Sequence, residues 1–295
     1  MTTLLLGGGL LGSGFRELLG DDALVRLSPP WRDEHAVDAY LRDAVPAAVG
    51  RDDPTLLVWA AGVGHVGAGP DALQAEGRAL DRLCDVVAAL DTPRGGRLTF
   101  LFASSAGALF GGYGDALVAE DSEPAPATPY GHEKLRQERA VAALADGGCR
   151  VVALRYTNLY GLTDGRVGTR GLIQAAVRAT RARRALTVYV SPDTRRDLVY
   201  NRDAAAAALA LARDAPPGFS ARLVADGRTR TISSVLSLVG RLARHRVPVT
   251  YAHRPETRVQ PRVLRFAPAA RICDLAPRTP IEAAIHRMLR APATV

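Results

Sequence analysis

Short apolar runs alternate with amphipathic or alanine-rich stretches along the first two thirds of the chain. Strands are predicted at the apolar runs, namely Thr3–Leu6, Ala23–Leu27, Leu56–Ala60, Leu98–Ala103, Val151–Arg155 and, later, Arg222–Ala225. Helices are predicted at the other stretches, namely Leu11–Leu19, His35–Val49, Leu73–Leu90, Pro129–Leu144 and the alanine run Ala204–Ala208. This alternation predicts an α/β fold with a doubly wound parallel sheet.

Two segments, Leu162–Val190 and Thr231–Val295, are rich in proline and arginine and alternate less regularly. We expect them to form a smaller substrate-binding lobe at the carboxyl ends of the strands, where doubly wound folds bind their ligands. The larger domain would then comprise residues 1–161 and 191–230, and the lobe residues 162–190 and 231–295.

A glycine-rich turn follows the first predicted strand. It reads Gly7-Gly8-Gly9-Leu10-Leu11-Gly12 and fits G-x-G-x-x-G at the point where a strand turns into a helix. Glycine permits the tight turn, the close approach of backbone to a pyrophosphate and the packing of the helix, whose N-terminus attracts the anion. The turn predicts a Rossmann-like domain that binds a dinucleotide.

The end of the second strand bears on which dinucleotide is bound. A carboxylate there would grip the adenosine ribose of NAD(H), but this chain offers Arg26, Ser28 and Arg32, which suit a 2′-phosphate. These residues favour NADP(H). The first acid afterwards is Asp33, which keeps NAD(H) open.

Charge adds one specific observation. The formal net charge is +8, but the arginines are spread along the chain and no nucleic-acid-binding motif accompanies them, so a nucleic-acid partner is not expected. Among the 38 Lys+Arg residues the only lysine is Lys134, in a sequence otherwise rich in arginine. A compact ammonium with a tunable pKa cannot be replaced by a guanidinium, which makes Lys134 a candidate functional residue.

Lys134 lies four residues after Tyr130, in a segment predicted to be helical. Residues four apart share a face of a helix. A phenol has a pKa of about 10, and a neighbouring ammonium lowers that pKa by favouring the phenolate. Tyr130 could then exchange a proton with a sugar hydroxyl while a hydride passes to or from nicotinamide.

Taken with these motifs, four further stretches resemble the extended short-chain dehydrogenase/reductases, the NAD-dependent epimerase/dehydratase type that acts on nucleotide sugars. Ala60-Ala61-Gly62 is similar to the small-residue turn that this family has beside the cofactor. The segment from Phe102 to Gly111 is similar to the family's serine motif at the end of a strand. The resemblance implies a catalytic serine that aligns the substrate. At the spacing usual for the family, the serine position falls at Ala106. Ser105 fills the role if the loop carries one extra residue, and Ser104 is the second choice.

The other two stretches concern the substrate. Leu154–Gly161 resembles R-Y-x-N-x-Y-G, which implies that Asn158 contacts substrate, and Thr194–Tyr200 resembles R-D-x-x-Y, which implies that Arg196 meets a sugar-nucleotide diphosphate. Arg254 resembles a second diphosphate arginine less closely. Gln74 or Glu76 stands where an asparagine is common.

The resemblance implies an NDP-4-keto-(deoxy)sugar 4-ketoreductase first and an NDP-sugar 4-epimerase with tightly bound NAD second. The missing ribose carboxylate favours the reductase. Dehydration is disfavoured because the serine motif lacks the Asp-Glu pair of sugar dehydratases. A non-catalytic NAD(P)-binding regulatory protein is the third hypothesis, and an intact Tyr-Lys pair argues against it.

The remaining features predict the setting of the protein. Cys84, Cys149 and Cys273 have no paired spacing, the histidines show no ligand spacing, and no apolar stretch is long enough to cross a bilayer. We therefore expect a cytoplasmic protein without a metal or a membrane partner, whose partner is a nucleotide sugar. A homodimer is compatible with the sequence.

Overall fold

The computed structural model describes residues 2–20, 23–49, 54–62, 65, 67–90, 98–252 and 261–292. The strands, numbered in chain order, are β1 (Thr2–Leu6), β2 (Leu24–Leu27), β3 (Thr55–Trp59), β4 (Leu98–Ser105), β5 (Leu117–Ala119), β6 (Arg150–Tyr156), β7 (Asn158–Tyr160), β8 (Leu162–Thr163), β9 (Arg166–Val167), β10 (Leu186–Val188), β11 (Arg195–Tyr200), β12 (Gly218–Val224), β13 (Thr229–Thr231), β14 (Val249–Tyr251) and β15 (Arg265–Ala267). The helices are α1 (Leu10–Leu19), α2 (Glu34–Ala48), α3 (Pro70–Ala88), α4 (Ala106–Leu109), α5 (Pro129–Ala142), α6 (Leu172–Arg181), α7 (Asn201–Arg213), α8 (Ile232–Leu242), α9 (Ile272–Leu275) and α10 (Ile281–Arg290).

The central sheet contains six parallel strands in the order β12-β6-β4-β3-β1-β2. Its strands are apolar along their length because helices cover both faces. One face packs mainly against α2, α3 and α5, around Trp59, Phe100 and Phe102. The other packs against α1 and α7, around Phe15 and the small alanines of α7. The predicted fold class, a doubly wound α/β sheet with a smaller lobe, is confirmed.

The chain changes direction in the sheet beside β1. It adds β2 on one side of β1 and then returns to add β3 on the other side. The carboxyl ends of β1 and β3 therefore flank a topological switch point, where open α/β sheets hold their ligands. The glycine-rich turn and the residues after β3 meet here.

A smaller lobe lies beyond these strand ends. Its core is formed mainly by α6, α8 and α10, with Ile173, Val235 and Ile285 among the buried side chains. A three-stranded sheet in the order β13-β11-β7 joins the lobe to the ends of β6 and β12. The strand β11 lies in this small sheet. The elements after it return to the large domain, where α7 packs on the six-stranded sheet and β12 is one of its strands. The domain boundaries drawn from the sequence stay a prediction. In the described parts of the chain, no helix has the length and apolar character needed to cross a membrane.

Candidate active site

The glycine-rich turn brings backbone against the end of β3. Gly7 has φ +113°, and a Cβ there would collide with the backbone of Ala60 and Ala61. A Cβ at Gly9 would meet no atom within 4 Å, and no side chain caps the first turn of α1. The N-terminus of α1, with Leu10 and Leu11 in its first turn, thus faces open space that a pyrophosphate can enter. Gly12 packs against the carbonyl of Gly7, so the glycine motif has the geometry predicted for it.

A pocket of about 410 Å³ lies beside this turn, between α2 and α3. It has the place expected for the adenosine end of a dinucleotide, with Trp31 and Trp59 in edge-to-face contact on one side. Arg26 reaches back over the turn, since a Cβ at Gly8 would lie 2.6 Å from a terminal nitrogen of its guanidinium.

None of the three residues predicted for the 2′-phosphate, Arg26, Ser28 and Arg32, is among the described residues that line this pocket. The backbone N–H of Ser28 donates to the Tyr40 hydroxyl at 3.0 Å. Asp33, the alternative ribose acid, caps α2 by accepting from the N–H groups of His35 and Ala36.

Two carboxylates that line the pocket were not singled out from the sequence. Glu34 accepts a hydrogen bond of 3.0 Å from Arg78 Nε, and this bond lowers the pKa of Glu34. Asp38 accepts from Arg42 Nε at 3.1 Å. Both carboxylates therefore already have cationic partners within the protein.

The acid–base pair lies at the start of α5. Thr128 begins this helix by accepting from the N–H of Gly131 at 3.1 Å, and Pro129 occupies the first helical position, where its missing N–H costs nothing. Tyr130 and Lys134 line a second cavity of about 540 Å³, which also reaches Ala60, Ala61 and Gly62. His132, between them in sequence, is exposed on another face.

Lys134 is held from three directions. Its Nζ donates to Glu76 Oε1 on α3 at 2.8 Å, to Gln137 Oε1 at 2.9 Å and to the Ala103 carbonyl on β4 at 3.5 Å. Burial is the largest single effect and would by itself lower the pKa of Lys134, but the charge and hydrogen bond of Glu76, together with the charges of Tyr130 and Glu133, outweigh it and raise that pKa. The ammonium is thus kept charged and its position is fixed.

Both candidate serines lie at the end of β4 and line the same cavity. The Oγ of Ser105 accepts from the N–H of Ala108 at 3.3 Å and caps the short α4, which begins at Ala106. The Oγ of Ser104 is buried and has no hydrogen-bond partner in the described part of the chain. The choice between the two serines therefore stays open.

Two arginines on adjacent strands also line the cavity. Arg196 on β11 pairs directly with Arg230 on β13, and both line the cavity. Arg196 Nη1 donates to the Pro261 carbonyl at 2.9 Å, and burial lowers the pKa of Arg196 to about 10. Like charges opposite each other in a sheet destabilise it unless an anion compensates them. Asn158 on β7 lies nearby and donates to the Asp197 carbonyl at 3.2 Å. Arg254 lies outside the described residues.

Sequence reasoning missed three further cavity residues. Arg230 belongs to no recognised motif and is brought to Arg196 only by strand register. Glu76 was noted as a substitution but not as the partner of Lys134. Gln174 on α6 has a buried Oε1 without a hydrogen-bond partner among the described residues. No group of three or more potential metal ligands occurs in the described ranges.

Comparison with known proteins places this architecture among nucleotide-binding enzymes. A sequence model of the NAD dependent epimerase/dehydratase family matches residues 4–221. A search of curated proteins found no match.

Solved structures with similar folds span nearly the whole chain. One is MoeE5 in complex with UDP-glucose and NAD, at 20% identity and a TM-score of 0.78, with 98% of this chain and 97% of that one covered. Another is the UDP-glucose 4-epimerase of Thermus thermophilus in complex with NAD, at 20% identity and a TM-score of 0.77, with 98% of both chains covered. A third is RMD from Pseudomonas aeruginosa complexed with NADPH, at 21% identity and a TM-score of 0.72, with 98% and 96% covered.

Proposed function

Since the chain belongs to the NAD dependent epimerase/dehydratase family, we propose that it is an NADP(H)-dependent 4-ketoreductase of a nucleotide-linked 4-keto-(deoxy)sugar. One observation carries the proposal. A single cavity is lined by both the acid–base pair Tyr130 and Lys134 and the register partners Arg196 and Arg230. This arrangement suits a substrate that has a reacting sugar and a diphosphate.

The residues at the switch point fit a dinucleotide. Open space in front of Gly9 and the uncapped start of α1 suit a pyrophosphate, while Ala60, Ala61 and Gly62 line both the adenosine pocket and the reaction cavity. Arg26, above the glycine turn, would contact a 2′-phosphate by charge-assisted hydrogen bonds. The reduced cofactor supplies a hydride for the carbonyl carbon.

The chain itself supplies the proton and the alignment. The Tyr130 hydroxyl would donate a proton to the sugar carbonyl oxygen, and the hydroxyl of Ser104 or Ser105 would hold that oxygen in place. The Lys134 ammonium would stabilise the phenolate that Tyr130 becomes. Arg196 and Arg230 would bind the diphosphate, and Asn158 would contact the sugar.

A substrate panel tests this function. NDP-4-keto-sugars are incubated with NADPH while the absorbance of the reduced nicotinamide is recorded, and we expect turnover with at least one of them. Tyr130→Phe should bind NADPH normally and lose nearly all turnover, because only the proton-transferring group is removed. Lys134→Arg should also lose most turnover, because a guanidinium has another shape and pKa. Wild-type turnover in either variant would contradict the assignment.

A 4-epimerase is the second candidate because Glu34 and Asp38 line the adenosine pocket. A carboxylate there suits the ribose hydroxyls of NAD. An epimerase would retain NAD through purification and interconvert NDP-sugars without added cofactor. That result, together with no oxidation of NADPH by any 4-keto-sugar, would replace the reductase with the epimerase.

A further inference from the structure

A shallow basin of about 800 Å³ lies on the small lobe, where three helices end. The C-terminal ends of α6, α8 and α10 form its walls, and Leu242 and Leu289 contribute apolar surface. We call it the arginine basin after five exposed residues that line it: Arg181, Arg183, Arg241, Arg244 and Arg290. His245 and His286 complete the polar lining.

The basin carries positive charge that nothing nearby neutralises. Its lining, within the described part of the chain, includes no aspartate or glutamate, and none of the five arginines forms an ion pair or side-chain hydrogen bond there. Elsewhere arginines such as Arg78, Arg136 and Arg155 are paired with acids. Five unpaired arginines therefore lie together in one basin with no acid in its described lining.

Neutralisation of the helix ends explains only part of this charge. Basic residues favour helix C-termini, and each terminus has an effective charge of about −0.5. Three termini together offer about −1.5, against five full positive charges in the basin. Most of the positive charge has no counterpart among the described residues that line the basin.

Backbone conformation gives an independent observation. Arg183 and Arg244 follow α6 and α8 with φ of +50° and +54°, in the left-handed region. Each closes its helix in a Schellman motif, where Arg183 N–H donates to the Thr180 carbonyl and Arg244 N–H to the Arg241 carbonyl, both at 3.1 Å. Glycine is the favourable residue at this position, and arginine there is strained. The basin thus has arginine at two positions where glycine would avoid a conformational cost.

We propose that the arginine basin is a second ligand site, which binds a compact anion with two or more phosphate groups. Guanidinium groups bind phosphate oxygens in pairs, and the basin volume lies in the range of small-molecule sites. Its described lining contains no phenylalanine, tyrosine or tryptophan, whereas five of its residues are arginines, so the chemistry favours phosphate over a nucleobase. The concave shape favours a compact ligand over an extended polymer.

The basin is separate from the reaction cavity. The first residues of α6 and α8, including Gln174 and Val235, line the cavity, whereas their last residues line the basin. The ten residues of α6 span about 15 Å. A phosphate held by Arg196 and Arg230 therefore cannot also occupy the basin.

Calorimetric titration with inorganic tripolyphosphate at about 0.15 M salt tests the site. The decisive variant is Arg183→Gly/Arg244→Gly, which removes two charges and also relieves the strained backbone. We expect at least about tenfold weaker tripolyphosphate binding. Without ligand, its thermal midpoint should rise by about 2–4 °C, which separates loss of the site from loss of the fold.

Two controls locate the binding. Arg184→Ala removes a neighbouring exposed charge that does not line the basin, so it should keep the wild-type affinity for tripolyphosphate. Arg196→Ala removes a charge of the reaction cavity, so it should weaken only the tripolyphosphate bound in that cavity and leave the affinity of the basin unchanged. Equal affinity of the double glycine variant and the wild type would overturn the proposal. Loss of all tripolyphosphate binding in Arg196→Ala would also overturn it, because the cavity would then be the whole site. So would tighter binding of a short oligonucleotide or of phosphatidylglycerol vesicles than of tripolyphosphate.

Discussion

The buried ion pair between Glu76 and Lys134 leads to a prediction about stability. Their side chains are only 3% and 6% exposed, and the two charged atoms are 2.8 Å apart. Glu76→Gln removes the negative charge and keeps the size of the side chain. Breaking a buried pair from one side costs about 3–5 kcal/mol, because it leaves an uncompensated charge. We expect a loss of this size in the free energy of unfolding at pH 7.

The cost should depend on pH in a defined direction. In the wild type the pKa of Lys134 is raised, so its contribution to stability is fully present below the unfolded pKa of about 10.4 and is lost only as pH rises through the folded pKa. In Glu76→Gln, burial without a partner should lower that pKa below the unfolded value. The variant then gains stability as pH rises towards 10, by at most about 1.4 kcal/mol per pH unit. The difference between the two proteins should shrink accordingly.

A second buried pair provides the matched control. Glu138 and Arg155 are 4% and 9% exposed and form two hydrogen bonds of 3.1 and 2.8 Å. Glu138→Gln makes the same substitution at similar burial, but its partner guanidinium does not lose its proton in this pH range. Its destabilisation should stay constant between pH 7 and 10.

Urea unfolding of the wild type and both variants at several pH values measures these differences without the screening that a guanidinium salt would add. A loss in Glu76→Gln that is the same at pH 7 and pH 10 would refute the reasoning, because it would show that the variant loses packing rather than charge compensation.

Two predictions concern ligand contacts. Arg230→Ala should raise the KM for the nucleotide sugar about tenfold or more and leave the cofactor Kd unchanged. The reason is that Arg230 lines the reaction cavity but not the adenosine pocket. Steady-state kinetics measures the first effect and cofactor titration the second. Arg26→Ala should weaken NADPH binding about tenfold or more with little effect on NADH; equal losses for both cofactors in a fluorescence titration would contradict a contact with the 2′-phosphate.

The sequence was most informative where function depends on local spacing. Parallel strands that are covered on both faces are apolar throughout, so β1, β3, β4 and β6 could be located within one or two residues. The spacing of Tyr130 and Lys134 placed both on one helical face. Fold class and family followed from such local patterns and their order.

Long-range pairing could not be predicted in this way. Glu76 and Lys134 are 58 positions apart, and Arg230 faces Arg196 only because β13 pairs with β11 in one register. The choice between Ser104 and Ser105 could not be predicted either. A shift of one residue along a strand moves a side chain to the opposite face, and the sequence does not fix this register. Ordinary spacing rules therefore left the catalytic serine undecided.

The environment of Lys134 explains why the only lysine of the chain stands at this position. Its three acceptors come from three separate elements, α3, α5 and β4, and each is a single oxygen atom. A compact ammonium directs its three N–H groups outward in a cone, whereas a guanidinium directs its donors within a plane. The buried Arg155 shows the opposite case, since among the described residues both of its side-chain hydrogen bonds go to one planar carboxylate, that of Glu138. Arginine therefore suits the site beside Glu138 and would leave acceptors at the Lys134 site without a donor. This accounts for a lysine at position 134 in a chain whose other strongly basic residues are arginines.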